Sequence, residues 1–258
     1  MSQLVLSLFP GIGLLDMAFE EAGFCVVRGP DLLWGGDVRN FHPPAGRFDG
    51  VIGGPPCKCW SPLANVVRAV HGPEAVAPDL IPEFIRIVEA AAPQWFIMEN
   101  VNGAPVPEPQ GYGVAPAIVK DVWVGGATNR ERRFTFGLAG AVPKWQIETL
   151  ALHSANPKPT VTTNSGGRRK VAVLEANGRQ RGNQGHADHA RLQSRPVEDQ
   201  AADQGVPADF VALLKEHGAF TSKALRIGIG NGVPLPMGRA VAAAVKLAMG
   251  LQAEGIAA

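Results

Sequence analysis

The residues with chemical potential in this chain gather around one cysteine. Cys57 stands in "GGPPCKCWSP" (residues 53–62), pressed between Pro55, Pro56 and Lys58 at the end of an apolar run. A cysteine needed only for packing does not require that setting. The prolines stiffen the approach, and the residues that follow can open a helix whose N-terminus, with Lys58 alongside, favours a thiolate. The second group is Glu99 in "MENV", an acid that ends an otherwise apolar strand and is costly to bury without a polar partner. A cysteine and a glutamate at neighbouring strand ends make a nucleophile and an acid. "TNRERR" adds Arg130 and Arg132 on alternate positions, so both can point to one face of a strand. Taken singly, Cys57 reads more readily as a small buried hydrophobe and the arginines as surface cations; the combination is what points to catalysis. Cys59 lies one residue beyond Cys57 with no histidine pair nearby, which argues against a zinc site.

Elements that would position these groups are legible in the apolar pattern. Leu4 to Phe9 is a short apolar run ending in "PGIG" and passing into "LLDMAFEEAGF", whose apolar residues recur at helical spacing. "FCVV" and "FDGVIGG" read as strands, "LIPEFIRIVEAAA" as an amphipathic helix, and "QWFIMENV" as a further buried strand. This alternation predicts an α/β fold with a parallel sheet covered by helices. "KDVWVGG" and "RRFTFGLAG" are expected as an antiparallel pair at a sheet edge. Periodicity fades from Lys144 to about Pro196 and returns in "VEDQAADQGV", "ADFVALLKEHG" and "PMGRAVAAAVKLAMGLQAEG". Ligands of open α/β sheets sit at the carboxyl ends of the strands, where the candidate residues fall. Gly11 and Gly13 permit a tight turn and close backbone approach suited to a nucleoside-bearing cofactor. Asp31 can accept from ribose hydroxyls and Asp37 from an adenine amino group; each reads equally as a turn acid.

Composition narrows the class. The 258 residues are 46% hydrophobic, enough for a full core. A formal net charge of +1 does not announce a nucleic-acid or membrane partner. Three cysteines without a secretory leader argue against a disulfide framework, and no apolar run is long enough to span a bilayer. The expectation is a soluble, cytoplasmic protein. Charge is unevenly spread, however: between Lys158 and Val197, eight basic residues face only Glu175 and Asp188, a net +6. Such a window is either a solvated loop or a phosphate-contacting segment whose binding weakens with salt.

The order and wording of these stretches resemble the DNA cytosine-5 methyltransferase family. "LFPGIGLLDMAFEEAGF" is similar to its cofactor loop and first helix, "GGPPCKCWS" to its catalytic loop and "PQWFIMENV" to its glutamate strand. "TNRERRF" resembles the arginine motif, "RPVEDQAADQGVPADF" the helical motif after the recognition region, and "IGNGVPLPMGRAVAAAV" the final motif. The resemblance implies a class I S-adenosylmethionine-dependent methyltransferase, Rossmann-like, with a mostly parallel seven-stranded sheet. Residues 1–137 would form the catalytic and cofactor-binding domain, 138–195 a reduced target-recognition region, and 196–258 helices returning to the catalytic domain. It implies that Cys57 attacks carbon 6 of a cytosine flipped out of the duplex while Glu99 holds ring nitrogen 3 and the exocyclic amine. Arg130 and Arg132 would position the base or the catalytic loop. For S-adenosylmethionine it implicates Phe9, Gly11, Gly13 and Pro55, with Asp31 on the ribose, Asp37 on the adenine, and Asn231 and Gly232 closing the site. DNA contacts would fall to Lys58, Ser61, Arg168, Arg169, Lys170, Arg179 and Arg181. The implied partner is double-stranded DNA, bound by a monomer, with a cognate restriction enzyme or an accessory specificity partner as further partners.

The chain departs from the family pattern in four places. Lys58 and Thr128 stand where glutamines are usual, and Asp31 where glutamate is usual. Only a few residues separate Asp31 from Asp37, so a helix between them is lost. Residues 138–195 are few for a separate recognition domain, and "KPTVTTNSG" within them already resembles the segment that follows one. A compact enzyme of relaxed or short-site specificity is expected, held to DNA largely through phosphates. The arginine-heavy, alanine-rich composition suits a GC-rich bacterium or its phage. Two other readings stay open: a cofactor-binding or partner-dependent homologue without turnover, and methylation of tRNA or of an already modified cytosine.

Overall fold

The structure, a computed structural model, describes residues 2–60, 62–150, 157–158, 160–161, 196–218 and 220–251. Six strands form one mixed sheet: β1 (Leu4–Leu8), β2 (Cys25–Arg28), β3 (Gly50–Gly53), β4 (Trp95–Asn100), β5 (Tyr112–Lys120) and β6 (Glu131–Ala139). Their order is β2-β1-β3-β4-β6-β5. The first four are parallel, and β6 runs antiparallel to both β4 and β5.

Two expectations are corrected here. Six strands are present among the described residues where seven were expected. β2 is the sheet edge, and residues 29–49, which would have to cross over and return as a further strand, form two short 3-10 turns instead. Pro30, Pro43 and Pro44, with glycines at 29, 35, 36 and 46, break that stretch up, so neither a crossover helix nor an outer strand can run through it. "KDVWVGG" is also not a strand of its own. Lys120 ends β5, and Asp121–Val124 is a 3-10 turn. The partner of β6 is the preceding Tyr112–Lys120 run, whose Pro116 and alternating small residues hid it. Proline is tolerated there because β5 is an edge.

Seven helices complete the described chain: α1 (Leu14–Glu21), α2 (Pro62–His71), α3 (Ile81–Ala91), α4 (Val197–Asp203), α5 (Ala208–Glu216), α6 (Ser222–Asn231) and α7 (Leu235–Ala248). Alternation along the strands sends their residues to two cores. Val5, Ile52, Trp95, Ile97, Phe134 and Phe136 pack with Phe19 of α1 and with Met237 and Val241 of α7. Leu6, Val51, Phe96 and Met98 pack on the other face with Phe84, Ile87 and Val88 of α3. A third cluster joins α4, α5 and α6 to Ile12 and Leu14 beside the first glycine turn. The C-terminal helices are thereby brought against the start of the chain. The helix expected to open after Cys57 is supplied by a 3-10 turn and then α2, whereas α6 was not individually foreseen. The glycines at positions 228 and 230 interrupt the helical signal of α6, and Gly228 is retained for space, since a Cβ there would lie 2.6 Å from Ile12.

Candidate active site

Strand alternation delivers the reactive groups to one place. Trp95 and Ile97 face the α1/α7 core, so Glu99, two residues on, continues that face past the end of the apolar run. On β6, Phe134 and Phe136 share the same core, which puts Arg132 on their face one step nearer the site. Glu99 is opposite Phe134 in the ladder, so Arg132 is its diagonal neighbour. Arg132 Nε donates to Glu99 Oε1 at 2.9 Å, and both side chains are largely buried. Gly54 makes room for this pair: a Cβ there would stand 2.9 Å from Glu99 Oε2.

The cysteine turn follows β3 directly, and Cys57–Trp60 is a short 3-10 helix running into α2. Asn100, immediately after the glutamate, fixes it. Asn100 is buried, its Nδ2 donates to the Pro55 carbonyl at 3.1 Å, and its Oδ1 accepts from Val101 N at 2.8 Å. Downstream, Trp60 Nε1 donates to Asp79 and an Arg68 guanidinium nitrogen donates to the Cys59 carbonyl. Burial pushes the Cys59 thiol up, so it stays a neutral thiol behind Cys57.

A cavity of about 460 Å³ joins these groups. Cys57, Lys58, Glu99, Arg130 and Arg132 line one part of it; Phe9, Gly11, Asp31, Asp37 and Pro55 line another, and Asn231 and Gly232 close it from the α6 side. Gly13 is the exception among the expected cofactor residues. It caps α1 at φ 86°, and a Cβ there would meet the Arg28 guanidinium at 2.5 Å rather than the cavity. Ser61, Arg168, Arg169, Lys170, Arg179 and Arg181 lie outside the described residues.

The glycine-turn end is built around a carboxylate. Asp31 Oδ2 accepts from Gly11 N at 2.8 Å and its Oδ1 from Leu33 N at 2.7 Å. Trp34 Nε1 donates to the Gly11 carbonyl at 2.7 Å. Phe9 adopts φ 56°, a left-handed conformation that costs a non-glycine residue about 1 kcal/mol or more and that clusters at functional sites. Asp37 is drawn toward its own neighbour: bonds from the Arg39 side chain and backbone lower its pKa to about 2. Asp16 also lines the cavity and is fully buried, accepting from Ser7 Oγ at 2.5 Å and from Arg28 Nε at 3.1 Å. Burial pushes its carboxyl upward, against the pull of Ser7 and Arg28. Asp16 was not singled out from sequence; the cue, an acid inside the otherwise apolar face of the first helix, was present in "LLDM".

Arg130 precedes β6 and is buried. Burial lowers its pKa to about 10, with Arg132 adding to the effect. Thr128, also buried, donates its hydroxyl to Asp121 Oδ2 at 2.7 Å, so the usual glutamine position is occupied by a residue bracing the preceding turn.

The chain belongs to the C-5 cytosine-specific DNA methylase family. The family pattern matches residues 35–200. The type II methyltransferase M.FnuDI of Fusobacterium nucleatum is 32% identical over 162 residues, covering 52% of this chain and 46% of that protein. M.NgoPII of Neisseria gonorrhoeae is 32% identical over 117 residues, 38% of this chain and 33% of its own. The matched stretches thus span less than half the length of these relatives. In three dimensions the chain is similar to the methyltransferase EhMeth of Entamoeba histolytica (TM-score 0.64, 11% identity, covering 96% of this chain and 99% of that one). It is also similar to a methyltransferase of an Escherichia coli prophage, described as a putative DNA modification enzyme (TM-score 0.58, 16% identity, 96% and 100% coverage). The methylase family generally uses S-adenosylmethionine. No described helix is long and apolar enough to cross a membrane.

The residues present suit that group. Space is open where a Cβ at Gly11 would stand, so a ligand can approach the backbone there. Asp31, although bonded to two amides, retains lone pairs for hydroxyl donors. The cavity falls within the usual range for cofactor sites of about 300–1,000 Å³.

Proposed function

We propose that this chain methylates carbon 5 of cytosine in double-stranded DNA through a covalent Cys57 adduct. The observation that carries the reading is the Glu99–Arg132 ion pair opening onto the cavity that Cys57 and the Gly11–Asp31 turn share. Phe9, Gly11, Asp31, Asp37, Pro55, Asn231 and Gly232 would hold S-adenosylmethionine, which supplies the methyl group when bound. Gly13 acts one step back, by setting the turn into α1.

Carbon 5 of cytosine is a poor nucleophile, and the ring is unreachable within the stack, so the base must be flipped into the cavity. The Cys57 sulfur adds to carbon 6, and the displaced electron pair moves toward ring nitrogen 3. Glu99, held by Arg132, accepts from the exocyclic amine with one oxygen and delivers a proton to nitrogen 3 from the other, which neutralises that charge. Carbon 5 then becomes nucleophilic enough to take the methyl group. Solvent water or hydroxide takes the carbon 5 proton, the released electron pair expels the Cys57 sulfur from carbon 6, and the proton on nitrogen 3 returns to Glu99, which restores the aromatic ring. Asn100 contributes by holding the Pro55 carbonyl, and hence the cysteine turn, at the end of β4. Lys58 at the cavity rim supplies a cation for the thiolate or a phosphate. Charge in the 158–197 window supplies further phosphate contacts, with short-site or relaxed specificity.

The test is transfer of tritium from labelled S-adenosylmethionine to unmodified duplex DNA, comparing wild type with Cys57→Ala and running tRNA in parallel. Label on DNA that disappears with Cys57→Ala is the expected result. Label on tRNA alone would move the substrate to RNA, and no transfer with cofactor binding intact would assign the chain a binding role or a missing partner.

A further inference from the structure

We infer that Arg130 is a positioning residue, not a substrate contact, and that it ties the cofactor rim to the chain segment after the recognition region. Two segments distant from it in sequence meet on its guanidinium. Nη1 donates to the Val161 carbonyl at 3.0 Å and to the Gly230 carbonyl at 2.9 Å, and Nη2 donates to the Asn231 carbonyl at 3.4 Å. Gly230 and Asn231 end α6, and both line the cavity. Val161 packs in the α4–α6 cluster with Ile12 and Leu14, beside the glycine turn.

Chemistry explains why arginine stands there. Carbonyls at the C-terminal end of a helix have no intrahelical donor and carry partial negative charge. A planar, always-charged fork can satisfy carbonyls from separate segments at once, whereas an ammonium concentrates its charge at one point. Among the described residues its acceptors are carbonyl oxygens rather than a carboxylate, so the cation is committed to backbone. Only 2% of the residue is exposed, and its Nε finds no acceptor. Arg132, two residues on, instead faces Glu99. The two arginines of "TNRERR" therefore divide the work: one orients the acid, the other anchors the cofactor rim.

The inference deepens the proposed reading and rests on it. Calorimetric titration with S-adenosylhomocysteine, and kinetics with the cofactor varied at saturating duplex DNA, would be run on wild type, Arg130→Lys and Arg130→Gln. Arg130→Gln is expected to weaken cofactor binding by about tenfold or more, the loss of charged hydrogen bonds. The rise in cofactor KM should exceed the fall in kcat. Arg130→Lys keeps the cation, stands in should Arg130→Gln fail to fold, and should recover part of the affinity. Arg132→Lys should show the opposite split, with lower kcat and cofactor affinity near wild type. A drop in kcat or a rise in DNA KM for the Arg130 variants with cofactor affinity unchanged would make Arg130 a substrate contact and overturn the inference. A wild-type chain that binds no S-adenosylhomocysteine would overturn the reading beneath it as well, which separates the two failures.

Discussion

Replacing Gly54 with alanine should displace Glu99, the acid of the proposed reaction, while leaving the fold intact. The new Cβ would stand 2.9 Å from Glu99 Oε2, whereas ordinary contact begins at 3.4 Å, so the carboxylate must retreat by about half an ångström. It has little freedom to do so. Glu99 is only 8% exposed, and Arg132 Nε holds its other oxygen at 2.9 Å. The methyl group therefore strains the geometry by which Glu99 meets the base. A misplacement of about 1 Å can cost about 100-fold in rate, so half that should lower kcat by about tenfold. Stability should fall by only about 1 kcal/mol, because the displaced atom is the end of a side chain. Gly53 is the internal control. A Cβ there would lie 2.7 Å from the Leu8 carbonyl oxygen of β1 and 3.1 Å from Phe84, so backbone must move and the loss should be about 2–3 kcal/mol. Tritium transfer at saturating substrates and urea unfolding of the two variants separate these effects. Wild-type kcat in Gly54→Ala, or equal stability losses in the two variants, would refute the claim that Gly54 serves the acid and Gly53 the sheet.

Three further outcomes follow from the site. Asn100→Ala removes the bond to the Pro55 carbonyl and leaves that buried oxygen unpaired; stability should drop by about 1–3 kcal/mol, with slower adduct formation by Cys57, measured by trapping on DNA carrying 5-fluorocytosine. Asp31→Ala frees the Gly11 and Leu33 amides, so cofactor affinity by calorimetry should fall about tenfold or more while duplex binding stays near wild type. Burial raises the Asp16 pKa above its usual 3.8, so the folded state favours its protonated form. Its contribution to stability is complete below 3.8 and is lost as pH rises through the folded value. The stability of wild type relative to Asp16→Asn should therefore decline as pH climbs from 3.8 toward neutrality; urea unfolding across that range showing a flat or rising difference would contradict it.

Much of the site was legible because its groups sit at element ends marked by short, specific wording. Cys57 between prolines and Lys58, Glu99 closing an apolar strand, and Arg132 in step with Phe134 and Phe136 all follow from strand alternation and the cost of burying charge. Position within the cavity was also readable for Gly11 and Asp31, since a tight turn after β1 and an acid after β2 fall at carboxyl ends of adjacent strands. What resisted reading depended on distant partners. Gly13 looks in sequence like a ligand contact but makes room for Arg28. Tyr112–Lys120 holds a proline and small residues, and becomes a strand because β6 offers it a ladder at the sheet edge. Arg130 and Arg132 look equivalent at alternate positions.

The amino-acid sequence by itself determined the α/β class, the cysteine and glutamate at strand ends, and the glycine turn with its acid. Each of these rests on local periodicity, turn chemistry or the solvation of a single group. Tertiary structure alone decided the six-strand sheet edged by β2 and the Glu99–Arg132 pair. It also decided the split between two arginines, because a buried cation acquires its role from whichever carbonyl or carboxylate the folded chain brings within hydrogen-bonding distance, and those acceptors lie 31 and 100 residues away from Arg130.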